Sequence, residues 1–222
     1  QMRIIKNILL FILAALLPFS WANSAPPKKN KPPRVLNRVV DTICYREHYS
    51  VLANDTNIRH GKYKLVFKDF PIERGQYTQG ERTGVWKFYG ENNILELEYD
   101  YDAHKPLKIQ PHVGHVYKQD TYPAIFLGSP LNIRHYIVAK ATYPKNERGF
   151  FKNCQVDVAL HISSTGKCTG YHIERYSKED FNESIRNALK KIPKQWRWLP
   201  AKRNGKDVSS EYMISIVFEY VE

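Results

Sequence analysis

The residues in this 222-residue chain whose types could carry chemistry are its eight histidines, its three cysteines and a basic run around two tryptophans. His112-x-x-His115 could offer two imidazoles to a metal ion, but no third ligand stands near it, and a structural zinc site takes four. His161 and His172 fall on two stretches that read as one hairpin, sharing its outer face as near-diagonal neighbours. Two imidazoles make a weak metal site at best, so both pairs are read as solvated side chains and no metal or other cofactor is expected. Lys190 to Lys206 interleaves Lys190, Lys191, Lys194, Arg197, Lys202, Arg203 and Lys206 with Trp196 and Trp198, a composition that could serve nucleic acid. The tryptophans, two residues apart, face one side and can cover a helix base while the charges stay solvated. No Ser/His/Asp order, carboxylate pair or phosphate-cradling glycine loop is recognisable, which argues against an enzyme.

The elements that position these residues are clearest from Cys154 onward. Cys154, Val156, Val158, Leu160 and Ile162 alternate with Gln155, Asp157, Ala159 and His161, the period of a strand with one buried face. Ser164 to Lys167 turns the chain, Gly166 supplying the positive φ of a two-residue hairpin loop, and Cys168 to Tyr176 returns as a second strand. Ser177 reads as an N-cap with Asp180 at the capping-box position, and Phe181, Ile185, Leu189 and Ile192 form the apolar stripe of a helix that Pro193 ends. After a turn at Arg203 to Lys206, Tyr212, Ile214, Ile216, Phe218 and Tyr220 alternate with Met213, Ser215, Val217 and Glu219 as a third strand. With Cys168 opposite Ser163, Cys154 lies roughly 30 Å away along the strand, so these two cysteines should not pair; Cys44 is uninformative on its own.

These residues resemble the C-terminal domain of TonB-type energy transducers. The likeness rests on Tyr143-Pro144, the strand Val156-x-Val158 with Gly166-Lys167 in its turn, Trp196-Arg197-Trp198-x-Pro200, and Gly205-Lys206-x-Val208. Tyr122-Pro123, Gly128 and Leu131 to Tyr136 are similar to the lead-in, with its short helix, of Bacteroidetes-type members. The resemblance spans about Tyr122 to Glu222. It implies an α+β domain with a three-stranded antiparallel sheet, helices on one face and the last strand on an edge. It further implies outer-membrane transport as the process, and TonB-dependent transporters as partners.

Upstream, Arg3 and Lys6 precede an apolar run from Ile8 to Leu17, then Pro18 and the small-residue site Ala22-Asn23-Ser24. That reads as a cleaved secretory signal over residues 1–24; the alternative is an uncleaved inner-membrane anchor extending to Trp21. Residues 25–40 read as a Pro/Lys-rich extended linker. Gly61-x-Tyr63, Gly75-x-Tyr77 and Gly84-x-Trp86-x-Phe88 form an internal repeat similar to a degenerate MORN repeat, giving a small β-rich segment over 41–118 that should pack on its neighbour or a partner. From Lys105 to Gln119 the pattern reads as a connecting loop, and 120–222 as the TonB-like domain.

The sequence thus leads to an exported, periplasmic, non-enzymatic protein that binds an extended peptide of an envelope partner by strand addition. The expected partner-binding residues are Thr142, Tyr143, Pro144, Met213, Ser215, Val217 and Glu219. A formal net charge of +12 also suits peptidoglycan or lipid headgroups, and an exported protein meets little nucleic acid. The alternative is an envelope scaffold in which both modules serve assembly without energy transfer.

Overall fold

The structure is a computed structural model that describes residues 31–42, 45–110, 120–142, 153–175 and 179–219, with the backbone alone at 92, 153, 154, 218 and 219. Every named element lies in one compact unit running from Pro33. The signal, Cys44, His112, His115, Tyr143, Pro144 and Ser177 lie outside the described residues.

The first half is an antiparallel meander of seven strands: β1 (Val35–Asp41), β2 (Tyr45–Leu52), β3 (Arg59–Phe67), β4 (Phe70–Thr78), β5 (Glu81–Tyr89), β6 (Leu95–Asp100) and β7 (Lys105–Ile109). Two expectations are corrected here. Residues 35–41 are not linker but an edge strand paired with β2 along its whole length, and residues 105–109 are not loop but the opposite edge. Both are largely exposed, so neither carries a clean alternation, and Pro106 sits where only an edge strand admits proline. The β-rich segment is therefore a sheet of seven strands rather than a small accessory.

One face of this sheet buries Tyr63, Leu65, Ile72, Trp86, Phe88, Leu97 and Tyr99. The Gly-x-aromatic repeat explains the packing. Trp86 lies flat over Gly75, where any Cβ would fall 2.2 Å from its Cδ2, and its ring meets Tyr63 and Tyr77 with centroids 5.2 Å away. Such aromatic pairs contribute about 0.5–1.5 kcal/mol each beyond the area they bury.

The second half opens with β8 (Ile125–Phe126) and α1 (Pro130–Lys140), whose N-cap is Ser129. β9 (Asn153–Ile162), β10 (Cys168–Arg175), α2 (Glu179–Leu189), β11 (Trp198–Leu199), β12 (Ala201–Arg203), β13 (Lys206–Val208) and β14 (Ser210–Glu219) follow. β9 is central, with β10 and β14 antiparallel on either side, as the alternation and the family both imply. The layout adds two ribbons that sequence did not suggest, β8 with β11 and β12 with β13. Val156, Val158, Leu160, Ile162, Ile173, Ile214 and Ile216 meet Ile133 and Ile137 of α1 and Phe181, Ile185, Ala188 and Leu189 of α2 in a single core. Each large side chain so buried contributes roughly 1.5–3 kcal/mol.

The hairpin loop is longer than expected. Residues 163–167 form it, closed by Ser163 N–H to the Lys167 carbonyl (2.9 Å), and Cys168 pairs with Ile162 rather than Ser163, with Thr169 bulged. Gly166 (φ 72°) in this loop packs against Trp198: its carbonyl accepts from Trp198 N–H (2.9 Å), and a Cβ there would sit 2.0 Å from the Trp198 oxygen. Cys154 pairs with Phe218 at the far end of β9, some 26 Å from Cys168 at about 3.3 Å per residue, and Cys168 is free.

Candidate functional site

The outer strand of the three-stranded sheet is the first candidate. In β14, Ile214 and Ile216 are buried while Met213, Ser215 and Val217 face away from the helices. Backbone direction follows from β9. Ser163 donates its N–H to Lys167, and the His161 carbonyl accepts from the Thr169 hydroxyl (3.2 Å), so the odd-numbered residues at this end of β9 turn their backbone groups toward β10. Even-numbered residues then serve β14, and residues directly opposite in an antiparallel ladder exchange bonds in alternate pairs. Leu160 with Tyr212, Val158 with Ile214 and Val156 with Ile216 are those pairs. Met213, Ser215 and Val217 consequently direct N–H and C=O to the other side of β14, where no strand neighbour is present among the described residues.

The side chains on this strip differ in freedom. Met213 and Val217 are 53% and 46% exposed, large apolar groups on an edge that would ordinarily be blunted by charge. Ser215 is already engaged: together with Gln155 its hydroxyl hydrogen-bonds Asp157 and, with Arg175 beside it, holds that carboxyl below the usual aspartate value. The side chain of Glu219 is outside the described residues. Thr142 is fastened to the helix layer, its N–H and carbonyl both bonded to the Ser184 hydroxyl of α2 at 2.7 Å.

What holds this domain against the seven-stranded sheet escaped the sequence reading entirely. Glu73 on β4 is 1% exposed, yet it accepts from Ser129 N–H (3.0 Å), Asn132 Nδ2 (3.2 Å) and Arg82 (3.3 Å). Arg82 also donates to the Tyr101 hydroxyl (2.9 Å) and the Leu127 carbonyl (2.8 Å), with its guanidinium 4.2 Å from the Trp86 ring centroid. Burial works against the Arg82 charge, but the Glu73 carboxylate overcomes it and raises the pKa. The carboxylate also sits at the N-terminus of α1, where the helix dipole favours negative charge. Nothing in Glu-Arg-Gly or Gly-Glu-Arg-Thr reads as a buried pair, because the partners are far apart in sequence and only the meander brings them together.

A second junction lies between β6 and β14. Glu96, Glu91, Arg134, Tyr212 and Met213 line a cavity of about 400 Å³ between the two halves. Burial, with Glu91 adding to it and Arg134 opposing, pushes Glu96 up to about 7, and burial with the nearby Glu96 also raises Tyr212. The tryptophans behave as expected of structural residues: Trp198 is buried, and Phe126 sits 5.0 Å from Trp196 and 5.2 Å from Trp198 between centroids.

Helices α1 and α2 over the three-stranded sheet make a small α+β module whose outer strand has no strand neighbour among the described residues. Residues 139–220 match the family described as Gram-negative bacterial TonB protein C-terminal, and this segment belongs to the TonB C-terminal family. The family is a non-enzymatic energy-transducer domain; its proteins are envelope-associated and interact with envelope proteins such as outer-membrane transporters. The chain is also similar to an isoleucine–tRNA ligase of Ehrlichia canis (strain Jake), 26% identical over 216 residues, which is 85% of this chain and 16% of that protein. At that identity and coverage the likeness assigns no family. No solved structure matches the chain. No helix among the described residues is long and apolar enough to cross a membrane.

Proposed function

We propose that this is a non-enzymatic, periplasmic TonB-like protein that captures an extended segment of an outer-membrane transporter, or of another envelope protein, by adding it to β14. The observation that carries the reading is the outward row Met213, Ser215 and Val217, which pairs open main-chain groups with exposed apolar side chains. Main-chain bonds would supply affinity and alternate side chains specificity. Glu219 on the same outward row, and Thr142, Tyr143 and Pro144 as in the family, complete the proposed contact set, and export rests on the signal at residues 1–24.

The test is proline at Val217. Proline is tolerated where an edge N–H points away from the sheet, so Val217→Pro should keep a native circular dichroism spectrum and abolish capture of the transporter peptide. Full-strength capture by that folded variant would move the site off the edge.

A second reading, an envelope scaffold without energy transfer, is favoured by one feature of the seven-stranded sheet. On its outer face His48, Lys64, Arg74 and Lys87 stand directly opposite one another on successive strands, beside a trough of about 990 Å³. Lys87 is ion-paired with Glu98 (2.8 Å), but Lys64 and Arg74 are like charges in direct cross-strand register, which is unfavourable, and an anionic partner such as a lipid headgroup or peptidoglycan would relieve them. The Lys64→Glu/Arg74→Glu pair should lose retention on anionic vesicles or peptidoglycan while keeping peptide capture. If capture is lost as well, the two faces do not act separately.

A further inference from the structure

We propose that the outer face of the three-stranded sheet holds a divalent transition-metal site formed by His161, His172 and Glu211, one ligand from each strand. This site is independent of peptide capture. Their donor atoms all lie within 4.8 Å of one another. His161 Nε2 and His172 Nδ1 are 2.7 Å apart, and Glu211 Oε1 is 3.9 Å from the first and 3.8 Å from the second. Donors bound tetrahedrally at about 2.0–2.2 Å from a zinc ion stand roughly 3.3–3.5 Å from one another, so shifts of about half an ångström complete the set.

The strand register builds this arrangement. His161 on β9 is directly opposite Glu211 on β14 and Gly170 on β10. With no side chain at Gly170, the His161 ring leans across β10: a Cβ there would lie 3.2 Å from its Nδ1. His172 stands opposite Ala159, small enough to let the two rings meet at a centroid distance of 5.0 Å. Glu174 supplies what an isolated histidine pair lacks. Its carboxylate is 2.8 Å from His172 Nε2, so it accepts that proton and leaves Nδ1 as the lone-pair donor facing His161 and Glu211. A carboxylate behind a ligating imidazole fixes its tautomer and raises its basicity. Two imidazoles and one carboxylate suit Zn²⁺, Ni²⁺ or Cu²⁺ rather than Mg²⁺ or Ca²⁺, and they leave a fourth position open to water. The signal in sequence was incomplete because the third ligand lies on β14, and only the β9–β14 register places it.

The test is calorimetric titration of the purified chain with ZnCl₂, then with MgCl₂. One Zn²⁺ should bind per chain, with no Mg²⁺ binding, and the melting temperature should rise by roughly 5–10 °C at a hundredfold excess over Kd. His161→Ala and His172→Ala should each remove saturable binding, Glu211→Gln should weaken it about tenfold, and Glu174→Gln about 10–100-fold as an outer partner. All four side chains are on the solvent face, and in chelator each variant should melt with the wild type, which separates ligand loss from misfolding. Absence of saturable Zn²⁺ binding would overturn the site. So would unchanged affinity in the His161→Ala/His172→Ala pair, which would place the ion elsewhere.

Discussion

In the seven-stranded sheet every strand is hydrogen-bonded to its neighbour in sequence, whereas in the three-stranded sheet the first strand is central and the last reaches it only after a helix has crossed over. Each buries one face, the meander against Tyr122, Ile125 and Leu199 and the C-terminal sheet against α1 and α2. The meander needs only hairpins, so local turn chemistry and a Gly-x-aromatic repeat can specify it. The C-terminal sheet depends on a crossover, so its outer strand is fixed by the helices beneath, through Ile214 and Ile216 against α1 and α2. The outer surfaces differ accordingly. The meander presents side-chain charge across four strands, and the C-terminal sheet presents an open backbone. The meander works as a foundation: Glu73 and Arg82 fasten the lead-in to it through Leu127, Ser129 and Asn132, while the outer side of β14 keeps no strand neighbour among the described residues.

The sharpest way to break this arrangement is to remove one member of the buried pair. Glu73→Ala or Arg82→Ala leaves its partner buried and uncompensated, and chemical denaturation should show a loss of about 3–5 kcal/mol. If the two halves are one cooperative body, far-ultraviolet and tryptophan-fluorescence transitions shift together; separate transitions would show that they unfold independently.

Next in size is Gly166→Ala, which combines a positive φ with a clash against the Trp198 oxygen and should cost roughly 2–3 kcal/mol in the C-terminal half. Gly205→Ala is the internal control, since its φ is also positive but nothing stands within 4 Å, so it should cost only about 1 kcal/mol.

The Glu96 junction makes the comparison pH-dependent. A carboxyl whose folded value is raised to about 7 is protonated in both states below the unfolded value, so its burial then carries no charge penalty. As pH rises from the unfolded value to about 7 the folded protein must ionise a buried group, and stability declines, with the penalty complete above that pH. Glu96→Gln should therefore gain roughly 1–3 kcal/mol on the wild type at alkaline pH, allowing for partial solvent screening, and show little difference at pH ~4. A pH-independent difference would place the ionisation elsewhere.

Smallest is Ser215→Ala, which removes one of several partners from the half-buried Asp157 carboxylate and should change stability by under about 1 kcal/mol. Because Asp157 is depressed, its bonds stabilise above the unfolded value and are lost as pH falls through the folded one. Wild type and variant should therefore converge in acid, and a gap that persists there would show that the hydroxyl acts through packing.

The elements that alternate or repeat are legible in the residues alone: β9, β10 and β14, the stripe of α2, the aromatic ladder over glycine, and which residues of β14 face out. Each of these is a local pattern enforced by the two-residue pleat or the 3.6-residue turn. Edge strands β1 and β7 were illegible because a strand exposed on both faces has no apolar period to reveal it. The remaining features depend on long-range packing. Glu73 reads as one more surface acid until the meander and the lead-in close around it, and Glu211 becomes a neighbour of His161 only through a register set by the crossover. In both cases the deciding contacts join residues distant in the chain, and their geometry depends on how whole elements pack rather than on the residues beside them.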